Sequence, residues 1–253
     1  MVLPKKSLGQ HFLTDHNIAL KIVGSLPASP SALLEIGPGT GMLSRYLLER
    51  EHFEPVFIET DREAVDHLLR TYPAITGRIV HGDFLRTDLR SVVSGEYQIV
   101  GNLPYNISSQ IFFRMIEDRE RLRSAVVMVQ KEVADRIRSG PGSKVYGILS
   151  VLLQTWFRIE YLFTVSEHVF LPPPKVKSAV IRLSRNDTID IGCDEAMYAR
   201  VVKAAFNQRR KTLRNALRPM LSGRDVTAIE DLLAKRAEQL GVEAFIDLAA
   251  HLA

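Results

Sequence analysis

The chain has 253 residues, of which 46% are hydrophobic and 25% charged; this excludes a disordered or fibrous protein and favours one large domain with or without an appendage. Lysine and arginine total 33 against 29 aspartate and glutamate, so the net charge of +4 permits a nucleic-acid partner without requiring one. The single cysteine, Cys193, excludes a disulfide framework and a cysteine-based zinc site, and we expect no metal. No apolar run reaches the roughly 18 residues of a membrane span and no signal-peptide pattern occurs, which predicts a cytoplasmic protein without membrane contact.

The first two thirds of the chain alternate short apolar runs with segments of helical period, a pattern typical of a parallel sheet covered by helices. The predicted strands are 32–36, 55–59, 78–81, 97–101 and 125–130. Helices are predicted where apolar residues recur at three- and four-residue steps, over 42–50, 62–70, 108–116 and 132–138. Two later apolar stretches, 156–163 and 178–183, flank three prolines and are predicted to pair as an antiparallel hairpin at one sheet edge.

Helical periodicity replaces β-branched runs after Ser184. One helix is predicted from an N-cap at Asp194 to a stop at Pro219, and a second over about 225–240 that ends at Gly241. The sequence therefore predicts an α/β catalytic domain over residues 1–186 and a small all-helical domain over residues 187–253.

A glycine-rich loop follows the first predicted strand, with Gly37, Gly39 and Gly41 separated by Pro38 and Thr40. Such a loop lets a ligand approach the backbone, although a turn that uses glycine only for its geometry is the alternative. The third glycine comes one residue earlier than in a dinucleotide-binding loop, and Pro38 has no N–H for a phosphate. The loop therefore favours a cofactor that is held by its nucleoside part.

Acidic residues follow the next two predicted strands. Glu59, 22 positions after Gly37, could accept hydrogen bonds from both hydroxyls of a ribose, while Asp61 could do this instead or cap the next helix. Asp83 could accept from an adenine amine beneath Phe84, or it could be a solvated loop residue. These residues fall at the carboxyl edge of the sheet, where open α/β sheets bind their ligands.

The fourth strand runs into the segment Asn102-Leu103-Pro104-Tyr105. An aromatic amine is a poor nucleophile, so an enzyme that alkylates it must hold both of its hydrogens and aim its lone pair. The Asn102 side-chain oxygen and a backbone carbonyl of Leu103 or Pro104 could accept those hydrogens, and Tyr105 offers a ring on which a base can stack. An ordinary turn after a strand is the alternative.

Several long motifs carry a resemblance to a known family. Residues 35–41 (EIGPGTG) resemble motif I of S-adenosylmethionine-dependent methyltransferases, and residues 102–105 (NLPY) resemble their motif for methylating the amino group of adenine. Further motifs are similar to those of the small-subunit ribosomal RNA adenine dimethyltransferases, the KsgA family: residues 6–13 (KSLGQHFL), 130–133 (QKEV), 170–176 (FLPPPKV), 178–180 (SAV) and 205–213 (AFNQRRKTL). This resemblance spans residues 5 to about 217 and implies a Rossmann-like, mostly parallel sheet with an antiparallel edge strand.

The resemblance also implies the roles of individual residues. Asn102 would lie where cofactor and target meet, and Phe170 would be the second wall of the base pocket opposite Tyr105, although Phe170 read alone is a core aromatic. His11 stands where some members have asparagine. The residues implied to bind S-adenosylmethionine are His11, Leu13, Gly37, Gly39, Glu59, Asp83 and Asn102; those implied at the methyl acceptor are Asn102, Leu103, Pro104, Tyr105 and Phe170.

Seven basic residues and no acidic one occur between Met197 and Gly223. If this segment is one helix, four of the seven lie along one stripe, and such a stripe can neutralise RNA phosphates. A solvated helix face is the alternative. The predicted RNA-binding residues are Lys203, Arg209, Arg210, Lys211 and Arg214.

The resemblance implies methyl transfer from S-adenosylmethionine to N6 of two adjacent adenines in the last hairpin loop of small-subunit rRNA. Each adenine would be dimethylated, within an immature small ribosomal subunit. We expect the protein to be a monomer by default. Two alternatives remain open: the related large-subunit rRNA adenine methyltransferase that confers macrolide resistance, and an assembly checkpoint or RNA-binding factor whose methylation is dispensable.

Overall fold

The protein, described by a computed structural model over residues 2–28, 32–50 and 53–252, contains nine strands within those ranges. In chain order they are β1 (Phe12–Leu13), β2 (Ala32–Ile36), β3 (Pro55–Glu59), β4 (Ile79–His81), β5 (Tyr97–Asn102), β6 (Leu122–Gln130), β7 (Phe157–Val165), β8 (Phe170–Leu171) and β9 (Ser178–Arg185).

The same ranges contain twelve α-helices, with short 3-10 turns between some of them. They are α1 (His16–Gly24), α2 (Ser44–Leu48), α3 (Arg62–Thr71), α4 (Leu89–Val92), α5 (Ser108–Glu117), α6 (Lys131–Arg138), α7 (Ile148–Trp156), α8 (Glu195–Asn207), α9 (Leu213–Ala216), α10 (Arg218–Leu221), α11 (Glu230–Leu233) and α12 (Val242–Ala250). Across the described residues, no helix is both long and apolar enough to span a membrane.

Seven of the strands form one sheet in the order β4-β3-β2-β5-β6-β9-β7, and β1 pairs with β8 in a separate two-stranded sheet. The pairs β2–β3, β3–β4, β2–β5 and β5–β6 are parallel, whereas β6–β9 is antiparallel. The chain builds outward from β2 to β4 and then returns to the other side of β2 with β5. This reversal creates a switch point between β2 and β5, the place where open parallel sheets bind ligands.

The predicted elements of the sheet are confirmed. Predicted strands 32–36 and 55–59 coincide with β2 and β3, while β6 begins three residues earlier than expected, at Leu122. Helix α3 begins after Asp61, whose carboxylate accepts a hydrogen bond from the Glu63 N–H and so acts as the N-cap. The two late stretches form β7 and β9, which are neighbours at one edge of the sheet, as predicted.

The chain clusters into two compact units, Met1–Ala134 with Ile159–Arg185, and Asp135–Arg158 with Asn186–Ala253. The sequence predicts residues 135–158 in the catalytic domain, but in the structure they cluster with the C-terminal residues. The physical reason lies in α7, which packs against α8 and α12 and whose Thr155 hydroxyl is hydrogen-bonded to the Tyr198 hydroxyl at 2.8 Å. The helical periodicity of apolar residues alone does not show in which domain a helix packs.

The predicted helices of the C-terminal part are wrong in their lengths. Asp194 caps α8 as expected, but α8 ends at Asn207 and two four-residue helices follow it. The predicted helix over 225–240 is only α11 between two 3-10 turns, and Gly241 precedes α12 instead of ending a helix. The turn after α8 is held by tertiary contacts, a bridge from Thr212 to Arg236 and a 2.7 Å hydrogen bond from the Leu213 N–H to the Lys235 carbonyl. Such contacts are invisible to helical periodicity.

Candidate active site

A cavity of about 540 Å³ lies at the carboxyl ends of β2, β3 and β5, at the switch point of the sheet. Its volume falls in the range of small-molecule sites. Most of the predicted site residues line it: His11, Gly37, Gly39, Glu59, Asp83, Asn102, Leu103, Pro104 and Tyr105. Nine of the eleven residues predicted for the cofactor and the acceptor therefore lie at one cavity, and the other two, Leu13 and Phe170, lie outside it.

The glycine loop forms a cradle at one side of the cavity. Gly37 has φ +64°, and no atom lies within 4 Å of the position that a Cβ would take there. Gly39 has φ +58°, and a Cβ on it would lie 2.9 Å from the Phe12 ring. Gly37 thus leaves space for a ligand, whereas Gly39 leaves space for the N-terminal segment that covers the loop.

Glu59 is oriented by two backbone groups. Its carboxylate accepts from the Gly39 N–H at 2.9 Å and from the Asp61 N–H at 2.8 Å, and the residue is 5% exposed. Burial raises the pKa of Glu59, although these hydrogen bonds oppose the shift. Each carboxylate oxygen retains a lone pair for a ribose hydroxyl. Asp61 is occupied as the cap of α3, so Glu59 is the better candidate of the two.

Asp83 follows β4 and presents a half-exposed carboxylate at the cavity. One oxygen accepts from the Leu85 N–H at 2.9 Å, and the other lies 3.7 Å from the Arg86 Nε. Phe84 is 3% exposed and also lines the cavity. A fixed acceptor beside an aromatic ring suits the edge and face of an adenine.

Asn102 ends β5 and carries an unsatisfied polar atom. Its Nδ2 donates to the His11 carbonyl at 2.8 Å, which fixes the orientation of the amide. Its Oδ1 is buried and has no hydrogen-bond partner among the residues that the structure describes. A buried acceptor without a donor is costly, and it is common where a ligand supplies the donor. Nearby, the Pro104 carbonyl accepts from the Ile107 N–H at 3.3 Å.

Tyr105 is held on one ring face and at its hydroxyl. The His11 ring stacks on it with 5.4 Å between centroids and 27° between planes, and its hydroxyl is hydrogen-bonded to the Ser178 Oγ. Burial raises the pKa of Tyr105, so the phenol stays protonated. The His11 Nδ1 donates to the Pro172 carbonyl at 2.8 Å.

Phe170 is placed differently from the expectation. It is 4% exposed and packs in the apolar core with Leu13, its partner in the β1–β8 pair, and it does not line the cavity in the structure. Alternate residues of a strand face opposite sides, so Leu171 is 58% exposed while Phe170 faces the core. Leu13 lines a small adjoining cavity of about 30 Å³ together with Gly37 and Asn102.

Glu35 is a buried carboxyl beneath the glycine loop to which the sequence analysis gave no role. It is 1% exposed, accepts from the Ser44 hydroxyl at 2.7 Å, and burial raises its pKa to about 8. A charged residue inside the otherwise apolar strand 32–36 was the signal that could have singled it out. The sequence likewise gave no sign of the contacts that Lys5 and Gln10 make with Asp61.

The predicted RNA-binding residues do not form one helical stripe. Lys203 lies on α8, Arg210 and Lys211 lie in the turn after it, and all three are exposed. The Arg209 Nη2 donates to the Ser143 carbonyl at 3.1 Å, and Arg214 pairs with Glu230. The basic residues are thus spread over a helix, a turn and α9, because the predicted continuous helix breaks after Asn207.

The residues around the cavity fit a nucleoside-containing methyl donor. The cradle at Gly37, the carboxylates of Glu59 and Asp83 and the unpaired Oδ1 of Asn102 offer sites for a ribose, an adenine and an acceptor amine. Among the described residues, no cluster of histidine, cysteine, aspartate or glutamate could hold a metal ion. The sheet with its antiparallel β9 and this cavity define a Rossmann-like S-adenosylmethionine-dependent methyltransferase.

The sequence model of the ribosomal RNA adenine dimethylase family matches residues 2–253, and the chain belongs to this family. It is an enzyme that uses S-adenosylmethionine to methylate adenine in rRNA. The chain is 53% identical to ribosomal RNA small subunit methyltransferase A of Bacteroides thetaiotaomicron, over 98% of this chain and 93% of the relative. It is 50% identical to the protein of the same name from Porphyromonas gingivalis, over 98% and 96%.

Two solved structures share the fold over nearly the whole chain. A dimethyladenosine transferase from Plasmodium falciparum has a TM-score of 0.78 at 24% identity, covering 94% of this chain and 96% of that one. The 23S rRNA methyltransferase ErmE has a TM-score of 0.70 at 25% identity, covering 95% and 99%. Because a 23S rRNA methyltransferase shares the fold, the fold alone does not identify the rRNA that this chain methylates.

Proposed function

We propose that this chain dimethylates N6 of two adjacent adenines in the last hairpin loop of small-subunit rRNA. The substrate assignment is supported by relatives of about 50% identity over nearly the whole chain that are named for the small subunit. The observation that carries the chemistry is the fixed amide of Asn102, whose buried Oδ1 lacks a donor. The residues assigned to the cofactor and the acceptor remain part of this proposal.

In the proposed reaction Asn102 orients the acceptor amine. Its Oδ1 accepts one amine hydrogen, and a backbone carbonyl of the same segment accepts the other, which aims the nitrogen lone pair away from both acceptors. The Leu103 carbonyl is the better candidate for the second acceptor because the Pro104 carbonyl already accepts from the Ile107 N–H. The bound cofactor supplies an electrophilic methyl group on a sulfonium.

Tyr105 holds the target base in this proposal. The His11 ring covers one face of Tyr105, and the adenine stacks on the other. An adenine can reach such a pocket only when it is flipped out or single-stranded, which costs a few kcal/mol that stacking offsets. The segment from Asn102 to Tyr105 thus binds both the edge and the face of the base.

No strong general base is required at this site. An alkylated aromatic amine is cationic and acidic, so it loses its proton to solvent after the methyl group has been transferred. Dimethylation of one adenine requires that the pocket also accepts a monomethylated amine, which has one hydrogen left for the Asn102 Oδ1 or the backbone carbonyl. Four transfers complete the modification of one subunit.

The second unit supplies an RNA-phosphate surface in this proposal. The turn with Arg210 and Lys211 lies beside Lys235 and Arg236, since Thr212 bridges to Arg236 and the Leu213 N–H bonds the Lys235 carbonyl. All four basic residues are exposed. Lysine and arginine clustered in this way release counterions when they bind phosphates. Lys235 and Arg236 were not predicted to bind RNA because they are distant in sequence from the basic segment.

The biological setting proposed here is a monomer that acts in the cytoplasm on an immature small ribosomal subunit. The hairpin loop must be accessible to a pocket that encloses one base, and this favours a subunit whose assembly is incomplete. Size-exclusion chromatography of the free protein, together with pull-down of assembly intermediates, tests these two statements.

The proposal is tested by incubating the protein with labelled S-adenosylmethionine and with small or large subunits that lack the modification. We expect label in the small-subunit rRNA. Label in the large subunit alone would contradict the proposal and favour the activity named for ErmE. Absence of label in both, with RNA binding intact, would favour an RNA-binding factor.

A further inference from the structure

The N-terminal strap, defined as residues 5–13, covers the cofactor cavity and is fastened at both ends. Residues 7–12 of the strap line the cavity. At its far end, β1 pairs with β8, the His11 Nδ1 donates to the Pro172 carbonyl, and Leu13 is 4% exposed in the apolar core. This end is therefore fixed by backbone pairing and apolar burial.

The near end of the strap is fastened by one buried carboxylate. The Lys5 Nζ lies 2.7 Å from the Asp61 Oδ1 and 3.1 Å from the Glu63 Oε1. The Gln10 Nε2 donates to the Asp61 Oδ2 at 3.3 Å, and its Oε1 accepts from the Lys5 N–H at 2.8 Å. The Asp61 side chain is fully buried, whereas that of Lys5 is 37% exposed. We call Lys5, Gln10 and Asp61 the latch.

The strap also contacts both halves of the active site. The Phe12 ring packs on Gly39, where any Cβ would collide with it. The His11 carbonyl accepts from the Asn102 Nδ2 at 2.8 Å, and the Asp61 N–H donates to the Glu59 Oε1 at 2.8 Å. The latch is thus bonded to Glu59, the carboxylate proposed to bind ribose. The strap is bonded to Asn102, the amide proposed to orient the acceptor amine.

We propose that the latch makes Asp61 a positioning residue for methyl transfer. With the latch closed, the strap holds the cofactor in its cavity, and Gln10, bonded to Asp61, holds the backbone of the adjoining His11, whose carbonyl orients the Asn102 amide toward the acceptor amine. With the latch open, the strap pivots about its fixed end near Leu13, and the cofactor exchanges. This inference rests on the proposed function for the role of Asn102, but not for the retention of the cofactor.

The asymmetry of the two ends determines which one opens. Opening at β1 would break backbone hydrogen bonds and expose buried apolar side chains, which is costly. Opening at Lys5 breaks a half-exposed ion pair and hydrogen bonds that water can replace. Cofactor exchange therefore proceeds through the latch, and it accelerates with salt because salt screens the Lys5 charge.

The test uses two variants that break the same ion pair from opposite sides. Lys5→Met removes the cation, and Asp61→Asn removes the charge while asparagine still caps α3. We expect each to raise the dissociation rate of S-adenosylhomocysteine about fivefold and to speed amide exchange in the strap. The double variant should be no faster than either single one. Lys5→Arg should restore the wild-type rate, and Lys6→Met, an exposed lysine of the same strap, should not change it.

Single-turnover methylation at saturating cofactor tests the orientation of Asn102 separately. Lys5→Met should lower this rate about fivefold even when the cofactor site is filled. A wild-type dissociation rate in Lys5→Met and Asp61→Asn would overturn the latch, and faster dissociation with an unchanged single-turnover rate would overturn the positioning of Asn102. Dissociation and amide exchange are measured without RNA, so they succeed or fail independently of the proposed substrate.

Discussion

The two compact units differ in where they keep their charged side chains. In the first unit Glu35, Glu59 and Asp61 are at most 5% exposed, and each of their carboxyl groups accepts a hydrogen bond. In the second unit the buried polar side chains of the described residues are the neutral Ser150 and Thr155, while its lysines and most of its arginines are exposed. Under the proposed function, the first unit holds a small ligand with buried, oriented groups, whereas the second binds a polyanion with exposed charges that salt screens.

The largest effect is expected from substitutions of Asn102 in the first unit. Asn102→Ala removes the oriented acceptor, and we expect the single-turnover methylation rate to fall roughly a thousandfold, about 4 kcal/mol, with RNA affinity unchanged. Asn102→Asp keeps an oxygen but places it against the His11 carbonyl, so it should not restore the rate. If RNA affinity fell as much as the methylation rate in either variant, this would contradict the separation of methyl transfer in the first unit from RNA binding in the second.

Substitution of Glu35 tests whether burial raises the pKa of a carboxyl group in the first unit. Its pKa is about 8 in the folded protein against 4.5 unperturbed, so the folded state keeps a proton that the unfolded state releases. Stability therefore falls as pH rises between these values, by about 2 kcal/mol over 1.5 pH units. Glu35→Gln should abolish this part of the slope in urea unfolding from pH 6 to pH 7.5, because glutamine carries no proton to release. The exposed control Glu54→Gln should keep the pH dependence of the unfolding free energy. An unchanged pH dependence in Glu35→Gln would refute the raised pKa of Glu35.

The turn with Arg210 and Lys211 tests the RNA-phosphate surface that is proposed for the second unit. Charge reversal by Arg210→Glu with Lys211→Glu should weaken binding of small-subunit RNA roughly tenfold and reduce the magnitude of the salt slope by about 2. S-adenosylmethionine affinity should stay at the wild-type value. Arg70→Glu, an exposed reversal on α3, is the matched control in the first unit. An unchanged salt slope in the double variant would make the turn an ordinary solvated surface.

Phe170 distinguishes a core side chain from a wall of the base pocket. Because its ring packs in the core, Phe170→Leu should cost about 1 kcal/mol of unfolding free energy and change the methylation rate less than twofold. Thermal unfolding and single-turnover methylation measure the two effects. A tenfold loss of rate without a loss of stability would show that Phe170 stacks on the target base.

The sheet and the residues that its strand ends place at the cavity were predictable because their signals are local. A short apolar strand followed by Gly37, Glu59 or Asn102 places that residue at the carboxyl edge, and the parallel order then brings the strand ends together. The resemblance of the long motifs supplied the family, which the match over residues 2–253 confirms. Substrate chemistry came from this resemblance and not from periodicity.

The remaining features depend on contacts between distant residues. The break after Asn207 follows from the pairing of Thr212 with Arg236, and the latch joins Lys5 to Asp61, 56 positions away. The inward orientation of Phe170 is set by the register of β8 on β1, since a shift by one residue would expose it in place of Leu171. No pattern within one segment encodes such pairings.

The most direct test of the central claim is mass spectrometry of the last hairpin of small-subunit rRNA after reaction with S-adenosylmethionine. Unmodified small subunits are incubated with the wild-type protein or with Asn102→Ala, and nuclease fragments are compared. The account predicts two adjacent N6,N6-dimethyladenines with the wild-type protein and unmodified adenines with Asn102→Ala. Methyl groups at other positions, or the same modification with Asn102→Ala, would contradict it.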